Sequence, residues 1–130
     1  MKRNEMREQG FFLIFENLFT SNNDMDELIS LYSENVDPVC DYAKEVFAGV
    51  NEKKDELDEL ITAYSKSWKI SRLPKVTLAL LYLSIYEMKY VDSVPVNVAI
   101  NEAVELAKKY AGAADASFIN GVLGSVAREG

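Results

Sequence analysis

The residues able to do chemistry in this chain are carboxylates, cations and aromatic rings. There is no histidine and a single cysteine, Cys40, in 130 residues. That combination removes disulfides, thiolate–imidazole metal sites and nucleophiles activated by histidine. Cys40 reads as an inert helix residue. The densest acidic cluster, Glu52, Asp55, Glu56, Asp58 and Glu59, invites a comparison with paired catalytic carboxylates or a metal site. The acids alternate around a helical period beside Lys53 and Lys54, without the glycine and oxygen-ligand pattern of a calcium loop, so they read as a solvated face. No catalytic residue, no metal site and no cofactor is expected. The cations are more informative. In SKSWKISRLPKV, Lys66, Lys69, Arg72 and Lys75 occur with no intervening acid, and Trp68 lies among them. Charge for phosphates and a ring for a base is what a single-stranded nucleic acid surface uses. Trp68 has a second reading, as a core anchor at a helix junction. A second basic group, Lys2, Arg3 and Arg7, opens the chain among Glu5 and Glu8; Arg3 and Arg7 are four apart and would share one helix face, or would simply form a solvated helix start.

The elements that position these residues are helical throughout. KRNEMREQGFFLIFENLFT reads as one helix whose rings and aliphatics (Phe11, Phe12, Leu13, Ile14, Phe15, Leu18, Phe19) cover more than a single stripe. Such a helix is sandwiched between sub-bundles or keeps a face for a partner. Ser21-Asn22-Asn23-Asp24 is a capping turn before a short amphipathic helix over 25–33. Asp37-Pro38 opens a third helix through Val50, and a fourth covers 51–67. Leu73 to Tyr90 is apolar nearly all round and is expected to be buried on all sides. Pro95 opens a sixth helix, which Gly112 ends. Asp115 is expected to cap a seventh, with Ile119, Val122, Leu123 and Val126 inward. Glycine inside a helix costs about 1 kcal/mol relative to alanine, so Gly121 and Gly124, with Ser117, suggest a backbone packed close against that strip.

Hydrophobic residues make up 48% of the chain, which argues against disorder. No apolar stretch reaches the ~20 residues of a membrane span, and no signal peptide is evident, so a cytoplasmic protein is expected. The net charge of −7 is unevenly spread: residues 24–59 hold twelve acids against three lysines, whereas 1–23 balance to zero and 60–130 to +2. A polyanion can dock at the ends, because charges beyond a Debye length of ~8 Å are largely screened at physiological salt. The reading is all-α, one domain over 1–130 of about seven helices in two packed sub-bundles, roughly 1–50 and 51–130.

INEAVELAKKY followed by SFINGVLG, with RLPKVTLALLYLSIYEM, VPVNVAINEA and the opening MKRNEMREQGFFLIFENLF, resembles the NusB family of bacterial transcription antitermination factors. The resemblance covers nearly the whole chain and is diffuse between Thr20 and Ser67. It implies a NusB-like helical bundle that binds boxA-like single-stranded RNA of ribosomal RNA leader transcripts. The implied partner is NusE, the small-subunit ribosomal protein S-ten, within the RNA polymerase elongation complex. No membrane is involved, and a homodimer is open. The implied RNA-binding residues are Lys2, Arg3 and Arg7, with Lys69 and Arg72 in reach, and Phe118 and Asn120 in the family's F-[VI]-N-G-V-L motif. Phe118 would be the stacking ring and Asn120 a polar contact; a core ring and a backbone-bonded amide are the alternatives. Phe15 and Phe19 match positions used towards NusE. Asn4 and Glu5 stand where many relatives have further arginines or small residues. Together with the net charge, they favour the competing reading, a helical interaction module that keeps the NusE-type face with little RNA binding. Similar domains precede ribosomal RNA methyltransferases, but no glycine-rich nucleotide fingerprint is present, so methyl transfer by this chain alone is not expected.

Overall fold

The computed structural model describes residues 1–20, 24–66 and 69–129. Trp68, the ring of the basic stretch, and the Ser21–Asn23 part of the capping turn lie outside them. Among the described residues there are seven α-helices, one 3-10 turn and no strand: α1 (Arg3–Asn17), α2 (Met25–Asn35), α3 (Asp41–Glu52), α4 (Lys54–Tyr64), the turn Ile70–Arg72, α5 (Lys75–Tyr90), α6 (Val96–Tyr110) and α7 (Ala113–Glu129).

α5 is the axis. Its residues from Thr77 to Ile85 are all buried, as an apolar circumference demands in water. α1, α3, α4, α6 and α7 all pack against it. α1 runs antiparallel to α5: Arg7 meets Glu87 near one end, and Phe19, just beyond α1, lies under Lys75 at the other. One connected cluster of buried side chains extends from Phe11 to Val126. α1 approaches α3 closely because Gly10 has no side chain; a Cβ there would lie 2.6 Å from Val46 Cγ2.

Several boundaries differ from the sequence expectation. α3 begins at Asp41, not at Pro38, because Gln9 on α1 holds the intervening strip extended: its Nε2 donates to the Pro38 carbonyl (3.0 Å), and its Oε1 accepts from the Cys40 amide (2.9 Å). Cys40 is itself the N-cap, its Sγ accepting from Ala43 N. The expected fourth helix breaks at Lys53, so Asn51 and Glu52 end α3. Asp115 is not a cap but lies in the first turn of α7, where it accepts a hydrogen bond from Thr77 Oγ1 at 3.2 Å. Gly112 does end α6, at φ +127°, a conformation that favours glycine. The small-residue strip has no backbone packed on it: a Cβ at Gly121 would meet nothing within 4 Å, and one at Gly124 only the Arg128 side chain.

Candidate nucleic-acid and partner interface

At the N-terminal end of α5, Pro74 supplies an extended residue without an amide hydrogen, and the 3-10 turn before it presents Arg72 to solvent. The Thr77–Asp115 hydrogen bond pins the first turn of α7 beside α5. Phe118, one turn further along, therefore lies across from Arg72. The two residues line one cleft of about 310 Å³ with Leu73, Pro74, Thr77 and Asp115. An exposed guanidinium facing a half-buried ring suits a phosphate together with a stacked base. Lys69, also exposed, begins the same turn. Asn120 is exposed but does not line the cleft, because two residues on a helix are about 200° apart.

The N-terminal cations divide. Lys2 and Arg3 are exposed, and the Arg3 guanidinium lies 4.2 Å from the centroid of the Tyr42 ring. Arg7 does not share that surface, and here the sequence expectation is corrected: it is 2% exposed, and its Nε donates to both oxygens of Glu87 at 2.9 Å. The Tyr42 hydroxyl donates to the same carboxylate, and Glu102 lies 3.7 Å from Arg7 Nη1. Burial and the hydrogen bond to Glu87 push the Tyr42 phenol well above its ordinary value, so it stays a donor. The reason Arg7 turns inward is that Glu87 faces the core and needs a counter-charge. Nor do the basic groups converge. Lys75 and Glu87 mark opposite ends of α5, about 18 Å apart at 1.5 Å per residue, so Lys2 and Arg3 lie at one end and Lys69 and Arg72 at the other.

Phe15 and Phe19 sit at the same end as the Arg72–Phe118 cleft. Their rings meet edge to face at 5.0 Å, and Phe15 continues onto Phe11 at 6.0 Å. Phe19 is 59% exposed, with Lys75 Nζ 5.5 Å from its centroid. Phe15 also lines a groove of about 660 Å³ between α1 and α2, closed by Val76 and Tyr110. Val76 and Thr77, neighbours in sequence, thus face different concavities. Sequence reasoning missed Glu87, Gln9 and Tyr42. The available signal was one acid, Glu87, in a helix otherwise apolar on all sides, which obliges a buried base somewhere else in the chain.

A family model described as the NusB family matches residues 4–128. The chain belongs to the NusB family. Transcription antitermination protein NusB of Lachnoclostridium phytofermentans is 38% identical over 130 aligned residues, covering 97% of this chain and 98% of that protein. Among solved structures, T. maritima NusB superposes with a TM-score of 0.86 at 30% identity, covering 99% of this chain and 92% of that one. A chain from a structure of antitermination factors NusB and NusE in complex with dsRNA gives 0.84 at 26% identity, covering 97% and 96%. The NusB family is a transcription-factor family, and the NusB fold of these structures is the all-helical bundle seen here.

Proposed function

We propose that this protein is a cytoplasmic transcription antitermination factor that acts by binding alone. It holds boxA-type single-stranded RNA of ribosomal RNA leader transcripts as a heterodimer with NusE and so helps keep RNA polymerase elongating. The observation that carries this reading is the joint cleft of Arg72 and Phe118 beside the exposed Phe15–Phe19 edge, a cation-and-ring site next to an aromatic face at one end of α5. Lys69 extends the cleft's charge, Lys2 and Arg3 take the strand at the far end, and Asn120 offers an amide to solvent on α7. Arg7 acts through the fold and contributes no phosphate contact. Phe15 and Phe19 form the NusE side.

The test is a titration of labelled boxA RNA with and without NusE. Weak binding by the chain alone, much tighter binding by the heterodimer, and a loss of affinity in Phe118→Ala with folding intact support the reading. Stacking on one ring contributes about 1–3 kcal/mol. Unchanged heterodimer affinity in both Phe118→Ala and Arg72→Ala overturns the site. The second reading, an interaction module with little RNA binding, is favoured by the burial of Arg7, which takes one cation out of an already small set. NusE binding that survives while no RNA affinity is measurable would select it.

A further inference from the structure

Asp115 shares the 310 Å³ cleft with Arg72 and Phe118. An acid is out of place on a surface that takes phosphate, since it repels the anion that the arginine attracts. Its position is nevertheless built into the fold. Thr77, fully buried on α5, donates its hydroxyl to Asp115 Oδ1 at 3.2 Å and so ties the half-buried carboxylate across to α5. The first turn of a helix favours an acid, which accounts for a carboxylate on α7 but not for one held inside the cleft. Among the described residues Asp115 and Arg72 form no ion pair, so two opposite charges stand apart in one concavity. A carboxylate only accepts hydrogen bonds, and each oxygen has room for two. Thr77 takes one place on Oδ1; the rest of the group is left for donors on a ligand.

We propose that Asp115 reads the edge of the base stacked on Phe118 and selects guanine there. The inference rests on the cleft being the RNA site. A nucleotide has an anionic phosphate, a flat ring and a hydrogen-bonding edge, and the cleft presents a counterpart to each in Arg72, Phe118 and Asp115. Its volume lies at the lower end of the range for small-ligand sites, which suits a single nucleotide. The four bases differ at the edge. Guanine carries two donors side by side, N1–H and the N2 amino group, which match the two oxygens of a carboxylate. Adenine and cytosine offer one amino group beside a ring nitrogen, whose lone pair would face the second oxygen. Uracil offers one N–H between two carbonyls. The expected order is guanine first, adenine and cytosine next, uracil last. Stacking on a ring accepts any base, whereas an acid accepts only from an edge that donates. The selection therefore belongs to Asp115 and not to the ring.

The probes are labelled oligouridine strands whose central residue is uridine, guanosine or inosine, titrated against the heterodimer of the full chain with NusE. An oligouridine has no fixed register, so a single guanosine is free to find the cleft. Guanosine in place of the central uridine should tighten binding by about tenfold, within what one bidentate pair to a base supplies. Inosine, which lacks the N2 amino group, should bind severalfold more weakly than guanosine. Asp115→Asn keeps an oxygen for Thr77 and places an amide donor where the second acceptor stood. That variant should unfold at the wild-type temperature, bind the uridine strand no more weakly, and hold guanosine and uridine strands within about twofold of each other. Wild-type affinities within about twofold for those two strands, inosine equal to guanosine, or a guanosine preference that survives in Asp115→Asn overturns the proposal. The inosine comparison uses the unaltered chain, so it decides even where the variant is unstable. Phe118→Ala separates this inference from the cleft itself. Unselective binding that Phe118→Ala still weakens removes the base reader and keeps the cleft. Unchanged affinity for every strand in both Phe118→Ala and Arg72→Ala removes the cleft, and the proposal with it.

Discussion

A guanidinium taken out of water loses several kcal/mol of hydration, which only well-placed acceptors replace. Arg7 finds them in the two oxygens of Glu87, and Tyr42 supplies a further hydrogen bond to that carboxylate. Removing one partner strands the other: Glu87→Ala should cost about 3–5 kcal/mol in urea unfolding. Arg7→Met combined with Glu87→Leu should recover most of that loss, because both charges leave together. A double variant no more stable than Glu87→Ala would show that the pair does more than cancel buried charge. At the surface, Glu8 accepts from Lys109 Nζ at 2.9 Å and from the Tyr110 hydroxyl at 2.8 Å. Partial burial pushes its carboxyl up, but the two hydrogen bonds and the lysine charge outweigh it and leave the carboxyl below its ordinary 4.5. A depressed carboxyl stabilises the fold above the ordinary value and loses that contribution as pH falls through the depressed one. The Tm difference between wild type and Glu8→Gln should therefore be present at neutral pH and shrink as pH falls below the ordinary carboxylate value; a constant difference would place the effect in packing. The direction in which Arg7 points was not legible from its spacing to Arg3, because the partner that decides it lies 80 positions away.

Helical periodicity made most elements readable. The inward faces of α5 and α7 follow from an apolar circumference and from Ile119, Val122, Leu123 and Val126, all buried. Gly112 ends α6 for the reason its type suggests. What periodicity could not convey was where tertiary hydrogen bonds override a local start signal. Gln9 holds Pro38 out of α3, and Thr77 draws Asp115 into α7. The cleft was legible as two separate pieces, a basic stretch and a motif ring; their meeting depends on how α7 docks on α5. The glycines of the helices were harder still, since absence of a side chain serves opposite ends. At Gly49 a Cβ would lie 2.1 Å from the Tyr86 ring, so α3 needs it bare. Gly49→Ala should cost about 1–3 kcal/mol by overpacking. Gly121 faces open space inside α7, and Gly121→Ala should raise stability by about 0.4–1 kcal/mol. Thermal unfolding of the two variants should move in opposite directions. A destabilised Gly121→Ala would mean that the strip packs against something after all.

Over the whole molecule, the cations proposed to meet RNA are few and far apart. With Arg7 withdrawn, Lys2, Arg3, Lys69 and Arg72 remain, and for single strands the log–log salt slope is about −0.7 per neutralised phosphate. The heterodimer's own contacts aside, Arg3→Ala and Arg72→Ala should each flatten the slope by about 0.7. Lying at opposite ends of α5, they should combine without coupling. Unchanged slopes in both variants would move the strand elsewhere. The same separation along the chain has a consequence during synthesis. α1 is made first, yet the carboxylate that neutralises Arg7 lies on α5, which packs along α1 only once it has been made. At about 5–20 residues per second, the 80 residues from Arg7 to Glu87 take roughly 4–16 s to make. For that interval α1 leaves the ribosome without its lid, and α2 and then α3, which both pack on it, act as its nursemaids until α5 arrives.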